Sequence, residues 1–264
     1  MDPAKESLRK DKLESARKNY QENFGQVDLQ KAYQSLFEIL WYSQLPCFDV
    51  KNITSDAPDQ MSIIKRCYWK GQEISCPIIF ETLPTDRGMC CTFNMEKAEK
   101  MFKNSSYSRA ISRMQASDKN QTFFNTTKPK FYENQPKSQA GLNKGLRLIL
   151  DAHSDQISAG TVFDNFKGFV TLVGDRSSFP LTQRHSFLLR PGQQSYVAIS
   201  ATSVTSDQGI KDIDPKKRLC YFQDEHPLKL YKHYSLANCL FECQSDYARS
   251  QMESKCTPWY YPGN

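Results

Sequence analysis

Two constellations in this sequence carry residue types suited to holding a metal ion. Asp151, His153 and Asp155 stand at alternate positions, so in an extended strand all three would project from one face with oxygen and nitrogen ligands. Such spacing arises readily by chance. The plainer reading, favoured here, is a polar strand end or turn in which Asp155 caps or solvates the backbone. Cys239 and Cys243 form a Cys-x-x-x-Cys pair, which suits zinc or disulfide chemistry. On a helix their Cβ vectors run nearly parallel, so the two cannot easily bond each other. Each needs a partner elsewhere, and separate disulfides to a downstream segment are favoured over zinc. No metal and no cofactor is expected.

Covalent catalysis has less to build on. The chain has no Gly-x-Ser-x-Gly elbow, no glycine-rich phosphate loop and no His-Glu-x-x-His pair. Of its four histidines, His226 and His233 lie beside a proline and an aromatic with no evident nucleophile. The reading is a protein that is not an enzyme.

Nine cysteines and four Asn-x-Ser/Thr acceptors, at Asn52, Asn104, Asn120 and Asn125, point to an oxidising, extracellular setting. All of Cys47, Cys67, Cys76, Cys90, Cys91, Cys220, Cys239, Cys243 and Cys256 are candidate disulfide partners, and an odd count calls for one outside these residues. Yet Met1 to Lys18 alternates acids and bases without the apolar core of a secretory signal. The longest apolar stretches, such as Leu36 to Tyr42, fall far short of the roughly 18 to 20 residues that span a bilayer. The expectation that reconciles these facts is an upstream membrane helix serving as export signal, outside this sequence together with whatever follows Asn264. The net charge of +6 comes from scattered bases. The densest run, Lys216-Lys217-Arg218, follows Asp212, Asp214 and Pro215 and has no aromatic stacking surface beside it, so no nucleic-acid partner is expected.

The elements that must position these residues follow from periodicity. Leu29, Ala32, Tyr33, Leu36, Phe37 and Leu40 share one helical stripe behind a cap at Asp28, and Pro46 limits the helix. Ser62 to Asn94 reads as three short segments separated by turns, carrying four cysteines. Residues 103 to 141 read as a long, exposed, polar excursion. Alternation then predicts strands at Leu146 to Leu150, Gly168 to Val173, Ser186 to Arg190 and Ser195 to Val204, the last two joined by a turn at Pro191-Gly192. From Tyr234 the period is helical again, with Leu236, Cys239, Leu240, Cys243 and Tyr247 on one stripe and Ser235 as cap. The fold class is α+β, disulfide-rich, with mainly antiparallel strands and peripheral helices.

The stretches Leu45-Pro-Cys-Phe-Asp-Val, Cys67-Tyr-Trp-Lys-Gly, Asp86-Arg-Gly-Met-Cys-Cys-Thr-Phe-Asn94 and Leu150-Asp-Ala-His-Ser-Asp155 resemble the ectodomain of degenerin/epithelial sodium channels. Arg218-Leu-Cys-Tyr-Phe-Gln-Asp-Glu225, Tyr234-Ser-Leu-Ala-Asn-Cys-Leu-Phe-Glu-Cys243 and Cys256-Thr-Pro-Trp-Tyr-Tyr-Pro262 follow in the family's order. The Cys90-Cys91 doublet is most similar to the invertebrate, pickpocket-like branch.

The resemblance implies a subunit with two membrane helices in the plasma membrane, assembled as a homo- or heterotrimer around a sodium-conducting, amiloride-sensitive pore. This chain would lie on the extracellular side and answer to a ligand, proton, peptide or force that the residues do not name. Residues 1–140 would be finger and knuckle, 141–218 palm and β-ball strands, and 219–264 the start of the thumb. A bridge between Cys67 and Cys76 is implied, with Lys70-Gly71 as the reversing turn. Cys47 would pair with Cys91, leaving Cys90 for an upstream partner. The family usually carries Cys-x-Cys before the Pro-Trp turn; Ser254 replaces the first here and puts one thumb bridge in doubt. The runner-up function is a secreted or tethered cysteine-rich binding module without a channel.

Overall fold

The computed structural model describes residues 3–23, 29–48, 62–103, 109, 111, 141, 143–154, 167–202, 205–251 and 260–261. Helix α1 (Pro3–Asn23) packs along α2 (Leu29–Ser43). Apart from Ala16, the described side chains of α1 are largely exposed, and a helix so polar all round gave the sequence no apolar stripe. It is tethered through Arg9, which donates to the carbonyls of Tyr42 (2.7 Å) and Gln44 (2.6 Å). Those carbonyls lie at the C-terminal end of α2, where a cation suits the orphan acceptors. In α2 the expected stripe buries Phe37 completely. Its expected cap, Asp28, lies outside the described residues.

The region expected as three segments holds four strands, β1 (Ile64–Trp69), β2 (Gln72–Ile74), β3 (Phe80–Thr85) and β4 (Gly88–Phe93). β5 is Leu146–Leu150. β1 and β2 form a hairpin whose two turn residues, Lys70 (φ 53°) and Gly71 (φ 81°), both take the left-handed region that tight hairpins require. β5 pairs antiparallel on the other side of β1, giving the order β2-β1-β5, so the ladder joins residues on both sides of position 140. An irregularity between Ile64 and Arg66 shifts the register, so that Ile64 and Cys67, three apart, both turn inward. They meet Cys47, Phe48, Cys76, Ile79 and Phe80 in one core.

A second core gathers Phe37, Leu83, Ala98, Met101, Phe102, Phe179, Leu228, Tyr231 and Phe241. Ile111 joins it, so the excursion expected to be exposed touches the core at that residue. The remaining strands, β6 (Phe169–Leu172) and β7 (Ser186–Leu189), pair with each other in an antiparallel ribbon. The expectation that β7 turns at Pro191-Gly192 into a partner strand at 195–204 is corrected. Gly192 has the positive φ of a turn (70°), but residues 195–202 are exposed and join no ladder among the described residues. Their β-branched and aromatic composition has strand propensity, but a strand also needs a neighbour to bond to.

Helix α3 (Leu236–Gln251) closes the described fold, with Tyr260 and Tyr261 packed beside Phe241. No described helix is long and apolar enough to cross a membrane.

Candidate functional site

Among the described residues, the seat of α3 is an extensive polar construction. The stripe expected from the sequence, Leu236, Cys239, Leu240, Cys243 and Tyr247, faces largely outward: Leu236 is 68% exposed and Tyr247 67%. The face turned into the protein is instead Asn238, Phe241, Glu242 and Ser245, all buried. A polar helix face can be buried because the seat offers backbone groups to match it. Glu242 accepts hydrogen bonds from the amides of Lys229 and Leu230, both at 2.9 Å. The Asn238 side chain accepts from the Phe179 amide at 3.0 Å and donates to the carbonyls of Ser177 (3.2 Å) and His233 (3.3 Å). The expected cap Ser235 accepts from the Asn238 amide at 3.1 Å. Between these anchors Phe241 stacks on Phe179 with centroids 5.0 Å apart.

The seat is bonded onward in turn. Tyr231 bridges to Phe102, the Lys103 amide donates to the Leu230 carbonyl at 2.8 Å, and the Lys232 amide to that of Met101 at 3.0 Å. The loop carrying Phe179 leads to Thr182, whose amide and hydroxyl both donate to Asp86 at 2.9 Å; the Gln183 amide donates to its second oxygen at 3.0 Å. Asp86 sits in the turn between β3 and β4. A run of directional bonds thus links α3, through the loop of Phe179 and Thr182, to the β3–β4 hairpin.

Ahead of α3 lies a loop held by a polar knot. The Arg218 side chain is 3% exposed and donates to the carbonyls of Ile210 (3.1 Å), Lys211 (3.1 Å) and Cys220 (3.0 Å), and to the Glu225 carboxylate. Its guanidinium also lies 4.7 Å from the Phe222 ring centroid. The Arg218 hydrogen bond, then the Phe222 amide, holds the Glu225 carboxyl below the ordinary carboxylate range. A lowered folded-state value adds stability above the unfolded value, about pH 4.3 for Glu, and that stability is lost as pH falls through the lowered value. The sequence signal for this pair is opposite charges seven apart around an aromatic. The buried polar face of α3 had a signal too, in Asn238, Glu242 and Ser245 at i, i+4 and i+7.

The cysteines fall into two groups. Cys67 is bonded to Cys76 with Cα atoms 5.4 Å apart, and Cys47 to Cys91 at 5.6 Å. Cys90, opposite Leu83 in the ladder, points to the other face from Cys91 and rests 3.1 Å from the Thr85 hydroxyl. Cys90, Cys220, Cys239 and Cys243 are unbonded thiols here, and Cys256 lies outside the described residues. Burial pushes the Cys90 thiol up, opposed in part by the Thr85 hydrogen bond. Under brief maleimide treatment of the 264-residue chain at neutral pH, the exposed Cys220 and Cys243 are expected to label first and Cys90 at least about tenfold more slowly, because the thiolate is the reacting form. Peptide mapping after quenching reads the order, and equal labelling of Cys90 would contradict its burial.

The one-faced strand that a metal site at Asp151, His153 and Asp155 would need is not formed. β5 stops at Leu150 and His153 has φ 42°, so the extended run that would align Asp151 with His153 does not exist. Asp151 instead accepts from the His153 amide at 3.0 Å, which is the main cause of its lowered pKa, and lies 3.7 Å from Lys65. The buried His153 ring places Nε2 3.1 Å from the Ser62 carbonyl. Asp155 and the four acceptors Asn52, Asn104, Asn120 and Asn125 lie outside the described residues. Among the described residues no three His, Cys, Asp or Glu side chains gather to hold a metal ion.

The chain is similar in sequence to known proteins. Over 206 residues the chain is 25% identical to Pickpocket protein 28 of Drosophila melanogaster, covering 74% of this chain and 33% of that protein. It is 20% identical over 187 residues to the sodium channel protein Nach of Drosophila virilis, covering 71% and 40% of the two. The Nach protein of Drosophila melanogaster is 21% identical over 182 residues, or 69% and 31%. The chain thus spans 31% to 40% of the length of these relatives. No solved structure matches it significantly. The family model described as amiloride-sensitive sodium channel matches residues 2–264, and the chain belongs to that family.

Proposed function

We propose that this chain is the extracellular part of a sodium-selective, amiloride-sensitive cation channel subunit, and that α3 with its seat couples an extracellular stimulus to the pore. The family match across residues 2–264 carries this reading, and the printed names of the Nach relatives agree with it. The bonded path from α3 to the β3–β4 hairpin supports the coupling role, because directional bonds transmit displacement better than loose apolar contact. A stimulus acts by binding closed and open arrangements unequally. The assembly is a homo- or heterotrimer in the plasma membrane, sodium is the permeant ion and the extracellular ligand is unidentified. In this reading residues 1–140 serve as finger and knuckle, 141–218 as palm and β-ball, and 219–264 as the start of the thumb. The unbonded Cys220, Cys239 and Cys243, with Cys256, take disulfide partners in the complete subunit, and Asn52, Asn104, Asn120 and Asn125 are glycan acceptors.

The test is voltage-clamp recording of the complete subunit at the cell surface, with acid, peptides and flow as stimuli. A sodium-preferring current blocked by amiloride is expected, together with a mobility shift on glycosidase treatment. A well-expressed surface trimer that passes no cations under any stimulus, even with a pore-opening substitution, would favour the cysteine-rich binding module.

A further inference from the structure

The sheet of order β2-β1-β5 turns one face to its core and the other to solvent. The ladder register sets Arg66 beside Ile149 and places Tyr68 between Glu73 and Arg147, while Cys67, Ile74 and Leu148 alternate with them toward the core. Arg66, Glu73 and Arg147 are exposed, and Ile149 is 48% exposed. Tyr68 organises both arginines. The Arg147 guanidinium lies 4.2 Å from the Tyr68 ring centroid, over the ring. Arg66 donates a hydrogen bond to the Tyr68 hydroxyl, which is the chief cause of its raised pKa.

Among the described residues no salt bridge joins either guanidinium to a carboxylate. Arg66 and Arg147 are diagonal neighbours in the ladder, roughly 7 to 8 Å apart, near enough for one bound carboxylate to accept from both. We propose that this face is a docking site for an acidic segment of an extracellular partner protein, whose carboxylate is held between Arg66 and Arg147 and whose apolar neighbour covers Ile149. Arginine and tyrosine dominate the hot spots of protein interfaces, and side chains already placed against a ring lose less freedom on binding. Ile149 favours a protein over a sulfated glycan, which has nothing apolar to set on it. Glu73 argues the same way. Standing across Tyr68 from Arg147, it repels a uniformly charged polymer but tolerates a carboxylate confined to the two arginines. The channel reading serves only to place the face outside the cell. Binding is measured without current, so a subunit that passes no ions leaves the test intact.

The probe is a short fluorescent peptide repeating glutamate, isoleucine and serine, and anisotropy follows its binding to the complete subunit purified in detergent. Saturable binding with a Kd below about 1 mM is expected, weakening as salt rises and lost when glutamine replaces glutamate in the peptide. Arg66→Ala and Arg147→Ala should each weaken it about threefold to fivefold, and the double variant at least about tenfold. Arg147→Lys keeps the charge without the planar stack and should fall between wild type and Arg147→Ala. Glu73→Gln should tighten binding about twofold. Should Arg147→Ala lower the thermal midpoint by releasing Tyr68, Arg66→Ala and Glu73→Gln still decide. Heparin binding that depends on the two arginines more strongly than peptide binding does would put a sulfated glycan here and overturn the acidic protein. Absence of saturable peptide binding, or binding unchanged in the double variant, overturns the docking site itself.

Discussion

Replacing Cys47 and Cys91 together by alanine is expected to lower stability by about 4 kcal/mol, and replacing Cys67 and Cys76 together by about 3 kcal/mol. The difference comes from the loops closed: the first bridge joins residues 44 apart in sequence, the second residues 9 apart, and a longer loop frees more disorder in the unfolded chain. Packing pulls the other way. Cys67 has no exposure at all, whereas Cys47 keeps 6%, so truncating Cys67 leaves the tighter void. Denaturant midpoints of the two double variants separate the accounts. A greater loss for the Cys47 pair means that chain entropy dominates; the reverse order means that the core around Cys67 does. Alanine is the right replacement, since serine would put hydroxyls into a cluster lined by Phe48, Ile64, Ile79 and Phe80. A loss under about 1 kcal/mol for both pairs would contradict a role for these bridges in holding the fold.

The elements legible in the sequence were those whose pattern and partner lie close together. α2 could be read from its stripe because Phe37 and its neighbours face a core directly beneath them. The hairpin of β1 and β2 could be read because Lys70-Gly71 leaves the chain little choice but to reverse. The sheet partner of β1 could not, because β5 arrives more than seventy residues later and its alternation fits any neighbour. The segment 195–202 failed for the opposite reason, since its composition asks for a ladder that no described strand provides. The site was the least legible part. The cysteines and apolar residues of α3 draw the eye to a stripe that faces largely outward, whereas the residues that fix the helix are Asn238 and Glu242. Polar residues in a helix normally mark its wet side. Only the amides of Phe179, Lys229 and Leu230, which no sequence pattern announces, make the inverted choice stable.

Glu242 therefore carries the larger consequence for α3. Its two oxygens take two backbone amides, and hydrogen bonds to a charged group contribute about 1.5 to 3 kcal/mol each. Glu242→Ala is expected to cost about 3 kcal/mol, the low end of the two together, because water can reach part of the space left behind. Glu242→Gln is expected to cost about half as much, because one oxygen still accepts while the new amide nitrogen faces the second backbone N–H donor to donor. The local measurement is hydrogen exchange at Lys229 and Leu230. In Glu242→Gln one of the two amides should exchange roughly tenfold faster while Lys103, bonded to the Leu230 carbonyl and not to the carboxylate, changes far less. In the complete subunit the same variant loosens α3 from the path that runs through Leu230 and Tyr231 to Phe102, so the stimulus needed for half-maximal current should rise. Unchanged exchange at both amides would show that Glu242 does not anchor the helix. Altered exchange with unchanged gating would keep the anchor and remove α3 from the coupling path.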